Sequence, residues 1–329
     1  MKNLFILLII LFAFKLNAQN LIARHSDGDV NFYEDLEEAL TDAIDGDTLY
    51  LPGKSFVLNF PITMEVHLIG AGADIDSALV TNKTVIYSSS STIEINSGAT
   101  FSSYEGIRFD NDVSIGGAYV GAEEDLHDIL FKNCFFGNLT IGYSGGGVGA
   151  SPVINITMIN CNLSVLYNFG SNHAFYNTIF RNGVTWLNNC FAKNCVFLVF
   201  LNAYNYNSIF ENCIFATTSL GIHDSYCTYT NFVTMGCCTE FGVSNEFINW
   251  NYCASLFSFD TDAFYELADD CEGKGGGTDG KDIGIYGGDF SWKKGMIPSN
   301  PHMYYKNIPD VSNEDGTLDV NIKVSAQDN

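Results

Sequence analysis

The sequence predicts an all-β solenoid, a chain coiled so that successive turns stack as parallel β-strands, and three observations predict it. A short phrase recurs: Lys132-Asn133-Cys134-Phe135-Phe136, Ile159-Asn160-Cys161-Asn162-Leu163, Tyr176-Asn177-Thr178-Ile179-Phe180, Lys193-Asn194-Cys195-Val196-Phe197 and Glu211-Asn212-Cys213-Ile214-Phe215. Its Asn returns after 27, 17, 17 and 18 residues, with weaker copies at Asn231-Phe232 and Asn249-Trp250. A unit this short cannot bury its apolar face alone and must stack on copies of itself. Second, strand alternation puts Cys134 with Phe136, Cys161 with Leu163, Thr178 with Phe180, Cys195 with Phe197 and Cys213 with Phe215 on one side of the strand. Rungs spaced about 4.8 Å apart turn those pairs into columns of like side chains. Third, the Asn before each pair marks a bend, because Asn tolerates unusual backbone angles and bonds its own backbone and the Asn above.

Taken in order, Met1-Lys2-Asn3, the apolar run Leu4 to Phe14 and Lys15-Leu16-Asn17-Ala18 form the three parts of a secretory leader, too short to span a bilayer. Residues 1–18 are read as a signal peptide cut after Ala18. The first Cys is Cys134, which argues against a lipid anchor at the cut. Residues 19–46 hold an amphipathic helix between Phe32 and Ile44, with apolar positions at helical spacing and acids in the first turn. Residues 47–290 carry the coil. Stepping by six from Cys195 reaches Leu201 and then Asn207, so the aliphatic six-residue period of left-handed hexapeptide helices is not met. Residues 291–329 form a tail with three of the six prolines, Pro298, Pro301 and Pro309, and the alternating run Thr317 to Val324 predicts a last strand with one apolar face.

The Asn-Cys-x-Phe phrases resemble those of secreted bacterial right-handed parallel β-helix proteins of the pectin-lyase-like superfamily. The helix, Asp45-Gly46-Asp47-Thr48, Pro52-Gly53, Val66 to Gly72 and Thr84-Val85-Ile86 look like the N-terminal cap and first rungs of that family, with Glu105 to Phe109 as a further rung. Thr278 to Gly288, with Asp282-Ile283-Gly284, resembles its closing rung. The resemblance covers residues 30–290 and implies a right-handed parallel β-helix of about eleven rungs, with an N-terminal capping helix and a C-terminal strand cap. Its motifs specify the fold and no catalytic set.

Composition excludes partners before it names any. The net charge is −23, falling to −25 when Lys2 and Lys15 leave with the leader, and such a chain repels nucleic acid and anionic membrane. It also disfavours unassisted binding of a polyanionic sugar. The surplus acid serves either as a solubilising surface or for capture of divalent cations. Ten Cys fall in the mature part. Cys134, Cys161, Cys195 and Cys213 share one repeat position, where Thr178 substitutes, as small buried residues would; Cys190 with Cys195 and the adjacent Cys237-Cys238 are open to pairing. No Cys-x-x-Cys spacing is present.

The residue between the two core positions should face outward, yet it reads Phe135, Ile179, Val196, Ile214 and Val233. Such a stripe needs a cover. A loop or the C-terminal tail, or else a partner or a sugar, would supply it.

Catalytic signals are sparse. Gly142-Tyr143-Ser144-Gly145-Gly146 matches a nucleophile elbow without the helix that must follow, and Gly275 to Lys281 imitates a phosphate loop but ends in Asp282. His223-Asp224 is a neighbouring His-Asp pair, readable as acid and base or as plain surface. Asp269 and Asp270, with Asp279 and Asp282 beyond a Gly-rich turn, are hard oxygen ligands suited to Ca²⁺, or a solvated acidic loop. The expected function is therefore a non-catalytic exported protein, monomeric, secreted or held at the cell surface or in the periplasm. Its Tyr-, Phe- and Asn-rich wall would meet polysaccharide or a surface glycan. The alternative is a carbohydrate-active lyase or hydrolase, which would need paired carboxylates on adjacent rungs.

Overall fold

The computed structural model describes residues 21–74, 82–90, 92–116, 126–142, 153–199, 205–216, 225–234, 246–252, 265–267, 271–292, 294–298, 302–307, 313 and 316–325. They form an all-β molecule built on one large, mainly parallel sheet, in the pattern of a β-solenoid. One ladder stacks Asp47–Tyr50, Val66–Ile69, Ser103–Glu105, Leu130–Lys132, Thr157–Ile159, Ala174–Tyr176, Phe191–Lys193, Ile209–Glu211 and Thr228–Thr234, all parallel. A second ladder runs from Ser55–Val57 through Thr84–Tyr87, Ile107–Phe109 and the strands that carry the repeated phrase. A third stacks Thr92–Ile95, Asp112–Ile115 and the far halves of Phe135–Ile141, Asn162–Asn168 and Ile179–Thr185. Register partners such as Leu130 with Thr157, and Thr157 with Ala174, are one sequence repeat apart, so the chain returns to the same face once per repeat.

Positive backbone φ angles produce the bends. Asn133, Asn160, Asn177, Asn194, Asn212 and Asn231 all sit between +47 and +54°. Asn enters that left-handed region more readily than other side chains because its short amide bonds locally.

The predicted columns exist. Phe109 stacks on Phe136 with ring centroids 5.0 Å apart, and Phe180, Phe197 and Phe215 stack at 4.7 and 4.9 Å with rings within 7° of parallel. These separations are the strand spacing itself, so each ring meets its equivalent on the next rung. Burying one such ring contributes roughly 1.5–3 kcal/mol. Cys134, Cys161, Cys195 and Cys213 are fully buried free thiols in the next column, and Cys190 is free as well, which removes its pairing with Cys195. Burial pushes the Cys161 and Cys190 thiols up to about 12. Cys271 is disulfide-bonded.

At the N-terminal end the helix is shorter than the pattern suggests, Leu36–Thr41. Asp35 sets its start by accepting from the Glu37 and Glu38 amides at 2.8 and 3.1 Å. Phe32 and Tyr33 pair instead with Ala23 and Ile22 in an antiparallel hairpin. Leu36, Ala39 and Leu40 join the main apolar core.

The C-terminal part departs further from expectation. Residues 278–288 form turns rather than a rung strand. Asn321–Ser325 does form a strand, but it pairs antiparallel with His302–Asn307 and with no described strand of the large sheet. Its apolar residues Ile322 and Val324, and Val320 just before it, are exposed. No helix among the described residues is long and apolar enough to cross a membrane.

Candidate functional site

The outward stripe locates the site. Ile179, Val196, Ile214 and Val233 lie side by side on successive rungs and are completely buried, beneath Leu267, Cys271, Ile283 and Ile285. The cover is the chain's own residues 265–267 and 271–292, which double back along the wall. Two glycines permit the approach. A Cβ on Gly284, whose φ is +95°, would stand 2.4 Å from Ile214 Cδ1, and one on Gly288 would stand 1.9 Å from Asn194 Nδ2.

The Asn turns hold this strap. Asn177 Nδ2 donates to the carbonyls of Ile285 and Gly287, both at 2.8 Å. Asn212 donates to Thr278 Oγ1 at 2.9 Å and accepts from the Thr278 amide at 3.1 Å. Further back, Asn133 Nδ2 donates to the Ile297 carbonyl at 3.3 Å. The strap thus runs from late rungs toward early ones, and the Asn side chains bond it where an Asn-to-Asn ladder was expected.

Where the strap leaves the stripe, a cleft of about 530 Å³ opens between it and the wall. Leu130, Ile159, Lys132, Asn133 and Asn160 line the wall side; Lys281, Gly288, Asp289, Phe290 and Ser291 line the strap side. Lys132 pairs with Glu105 at 3.5 Å, and Lys281 donates to the Gly288 carbonyl at 2.7 Å. Asn133 and Asn160 are almost wholly buried, and the Oδ1 of each has no hydrogen-bond partner in the protein. The Oδ1 atoms of Asn177 and Asn194, away from the cleft, are unpaired in the same way, so this is a property of the repeated turn. Among the described lining residues Asp289 is the only carboxylate, so they do not form a two-carboxylate arrangement.

Aromatic residues continue from the cleft along the same wall. Phe290 packs on Tyr176, and Tyr176 on Phe191, with centroids 5.6 and 5.9 Å apart. At the neighbouring corner Tyr206 and Tyr226 are each 51% exposed and meet edge to face at 5.5 Å, while Trp186 packs against Phe169 at 4.8 Å. Partly exposed aromatic faces beside amide groups offer both the apolar and the polar contacts that a sugar ring presents.

His223, Asp224, Asp269 and Asp270 lie outside the described residues, as do residues 143–146 of the elbow-like motif. Asp279 and Asp282 are described, and both brace the strap. Asp279 accepts from the Lys281 amide at 3.1 Å and the Gly288 amide at 2.9 Å; Asp282 accepts from the Gly275 amide at 2.9 Å. Burial pushes the Asp279 carboxyl up, but those amide bonds outweigh it and hold it below its ordinary value. Among the described residues no three His, Cys, Asp or Glu side chains gather closely enough to hold a metal ion.

The cleft was not legible in the sequence, because its two sides stand more than 120 residues apart. The one local trace was the glycine density between Gly273 and Gly288, which marks backbone pressed against a wall. Comparison of the chain with protein-family models, with curated proteins and with solved structures returned no match.

Proposed function

We propose that this chain is an exported, non-catalytic, right-handed parallel β-helix protein of pectin-lyase-like type that binds glycans along its wall, with the cleft under the strap as the principal site. The observation that carries the reading is the cleft: Asn133, Asn160, Lys132 and Lys281 line one space, at the end of a run of aromatic side chains. Sugar hydroxyls bond to such polar side chains, and sugar C–H faces rest on such rings. In this reading the helix Leu36–Thr41 closes the first rung, the solenoid has about eleven rungs and the protein works as a monomer.

The test is to incubate the purified chain with a panel of polysaccharides, with and without Ca²⁺, following unsaturated products and new reducing ends while recording retention on immobilised glycans. Retention without cleavage is expected, and Asn160→Leu together with Phe290→Ala should weaken it roughly tenfold. Cleavage of any member of the panel would replace this reading with that of a polysaccharide lyase or glycoside hydrolase.

A further inference from the structure

A hydroxyl, an imidazole and a carboxylate meet on the wall before the cleft, drawn from stretches of chain 36 residues apart. Strand alternation turns Glu65 and His67 outward and buries Val66 and Leu68; on the next rung Ser103 turns outward between the buried Ser102 and Tyr104. The parallel register sets His67 directly beside Ser103. Their side chains meet, with His67 Nδ1 2.9 Å from Ser103 Oγ. At the other ring nitrogen, Nε2 lies 3.7 Å from Glu65 Oε1.

The backbone holds this geometry from both rungs. The Val66 amide donates to Ser102 Oγ at 3.0 Å, and that hydroxyl donates to the Met64 carbonyl at 3.3 Å, so the rungs are pinned on each side of Glu65. Glu65 is also fixed through its own backbone: its amide donates to Asp45 Oδ1 at 3.1 Å and its carbonyl accepts from the Gly46 amide at 2.9 Å. A carboxylate beside Nε2 favours the tautomer that carries its proton there, which leaves Nδ1 to accept the Ser103 hydroxyl proton. The same carboxylate stabilises the imidazolium that forms when the ring takes that proton. His67 and Glu65 are 31 and 32% exposed, so a solute and water both reach the group.

We infer that Ser103, His67 and Glu65 form a nucleophile–base–carboxylate relay that hydrolyses carboxylic esters. Ser103 Oγ attacks the ester carbonyl carbon while its proton passes to His67 Nδ1. The tetrahedral adduct breaks its bond to the alcohol oxygen, which takes that proton and leaves, and the acyl group stays on Ser103. Water then attacks the acyl carbon and gives its proton to Nδ1; the bond to Oγ breaks, Ser103 recovers the proton and the carboxylic acid departs. Ester and water are consumed, alcohol and acid are formed, and no electrons change hands. The ester is uncharged, because a chain of net charge −23 repels an anionic one and expels the acid once it ionises. Ser103 pairs in register with Leu130, which lines the cleft, so the relay stands one rung from the cleft's wall side. This activity goes beyond the binding role proposed above and adds a chemical step to a wall read there as binding only. It acts on an ester substituent, leaves a glycan chain intact and holds whether or not the cleft takes glycan.

The test incubates the purified full chain with p-nitrophenyl acetate and, separately, with an alkyl fluorophosphonate whose adduct is located by peptide mass spectrometry. Saturable release of p-nitrophenol and a phosphonate on Ser103 are expected. Ser103→Ala should abolish both, and His67→Gln should lower kcat roughly a hundredfold or more with KM little changed. Glu65→Gln should lower kcat roughly tenfold or more, with Glu65→Asp restoring part of it. His127→Gln, at the separate His127–Asp128 pair, should change neither reading. Should a variant fail to fold, the site of phosphonate labelling on the native chain still decides. Hydrolysis that does not saturate or is equal in native and Ser103→Ala chains, or absence of phosphonate from Ser103, would overturn the relay.

Discussion

The outward position of the repeat behaves differently in the two halves of the wall. From Ile179 to Val233 it carries aliphatic residues, all fully buried beneath the returning strap. One and two rungs earlier it carries Asn162 and Phe135, which remain partly exposed, and Phe135 is flanked by arginines instead of covered by chain. The scaffold underneath is the same in both halves, with the same stacked rings and the same left-handed Asn turns. A solenoid thus supplies equivalent positions, and the residue placed at each decides whether that stretch becomes interior or exposed surface. The cleft opens at the change from one regime to the other.

The comparison breaks most visibly by placing charge at this position. Ile214→Asp buries a carboxylate with no partner and should cost about 3–5 kcal/mol, with early proteolysis of residues 271–292 as the strap lifts. Phe135→Asp, at the equivalent open position, should cost about 1 kcal/mol or less, because water and Arg108 both reach it. Equal losses in urea unfolding would mean that the two halves do not differ in the way described.

A smaller effect separates the turn from the strap. Asn177→Ala removes both bonds to the strap and a side chain suited to its φ of +47°, and should cost about 2–4 kcal/mol. Asn177→Gly keeps the turn and loses only the bonds, so it should be less damaging by about 1 kcal/mol. If the two variants unfold alike, the strap bonds rather than the turn carry the residue's contribution.

Acid probes the wall away from the strap. His173 is buried, its Nδ1 accepts from the Ile156 amide at 3.0 Å, and burial lowers its pKa to about 3. The unfolded chain binds this proton more readily, so the stabilisation is complete above about pH 6.5 and is lost as pH falls toward 3, by at most about 1.4 kcal/mol per pH unit. His173→Phe should flatten the acid limb of stability against pH. An unchanged limb would assign the acid sensitivity to other groups.

The smallest effect on stability should come at the exposed corner. Tyr206→Ala is expected to shift the folding free energy by no more than about 0.5 kcal/mol while reducing retention on glycan several-fold. A stability loss without a change in retention would make the residue structural.

Several particulars were legible before the structure. The stacking of Phe180 on Phe197 and Phe215, the burial of the repeated Cys and the bend at each Asn all follow from one local requirement met again on every rung, and a repeated requirement leaves a period in the sequence. The apolar stripe was legible too, together with its need for a cover. The helix was legible in kind, though its start was not, because strand pairing of Phe32 and Tyr33 outweighed their helical spacing.

What covers the stripe, and what the cover creates, was decided only in three dimensions. Asn177 meets Ile285 and Asn133 meets Ile297 across more than a hundred residues, and such contacts happen once each. They leave no period to read. Asp279 and Asp282 show the same limit, since a carboxylate bonding nearby amides and one awaiting a cation look alike in sequence. Repetition makes the fold visible because every copy answers the same physical demand; the cleft arises where two unlike stretches of chain meet, and only their tertiary approach defines it.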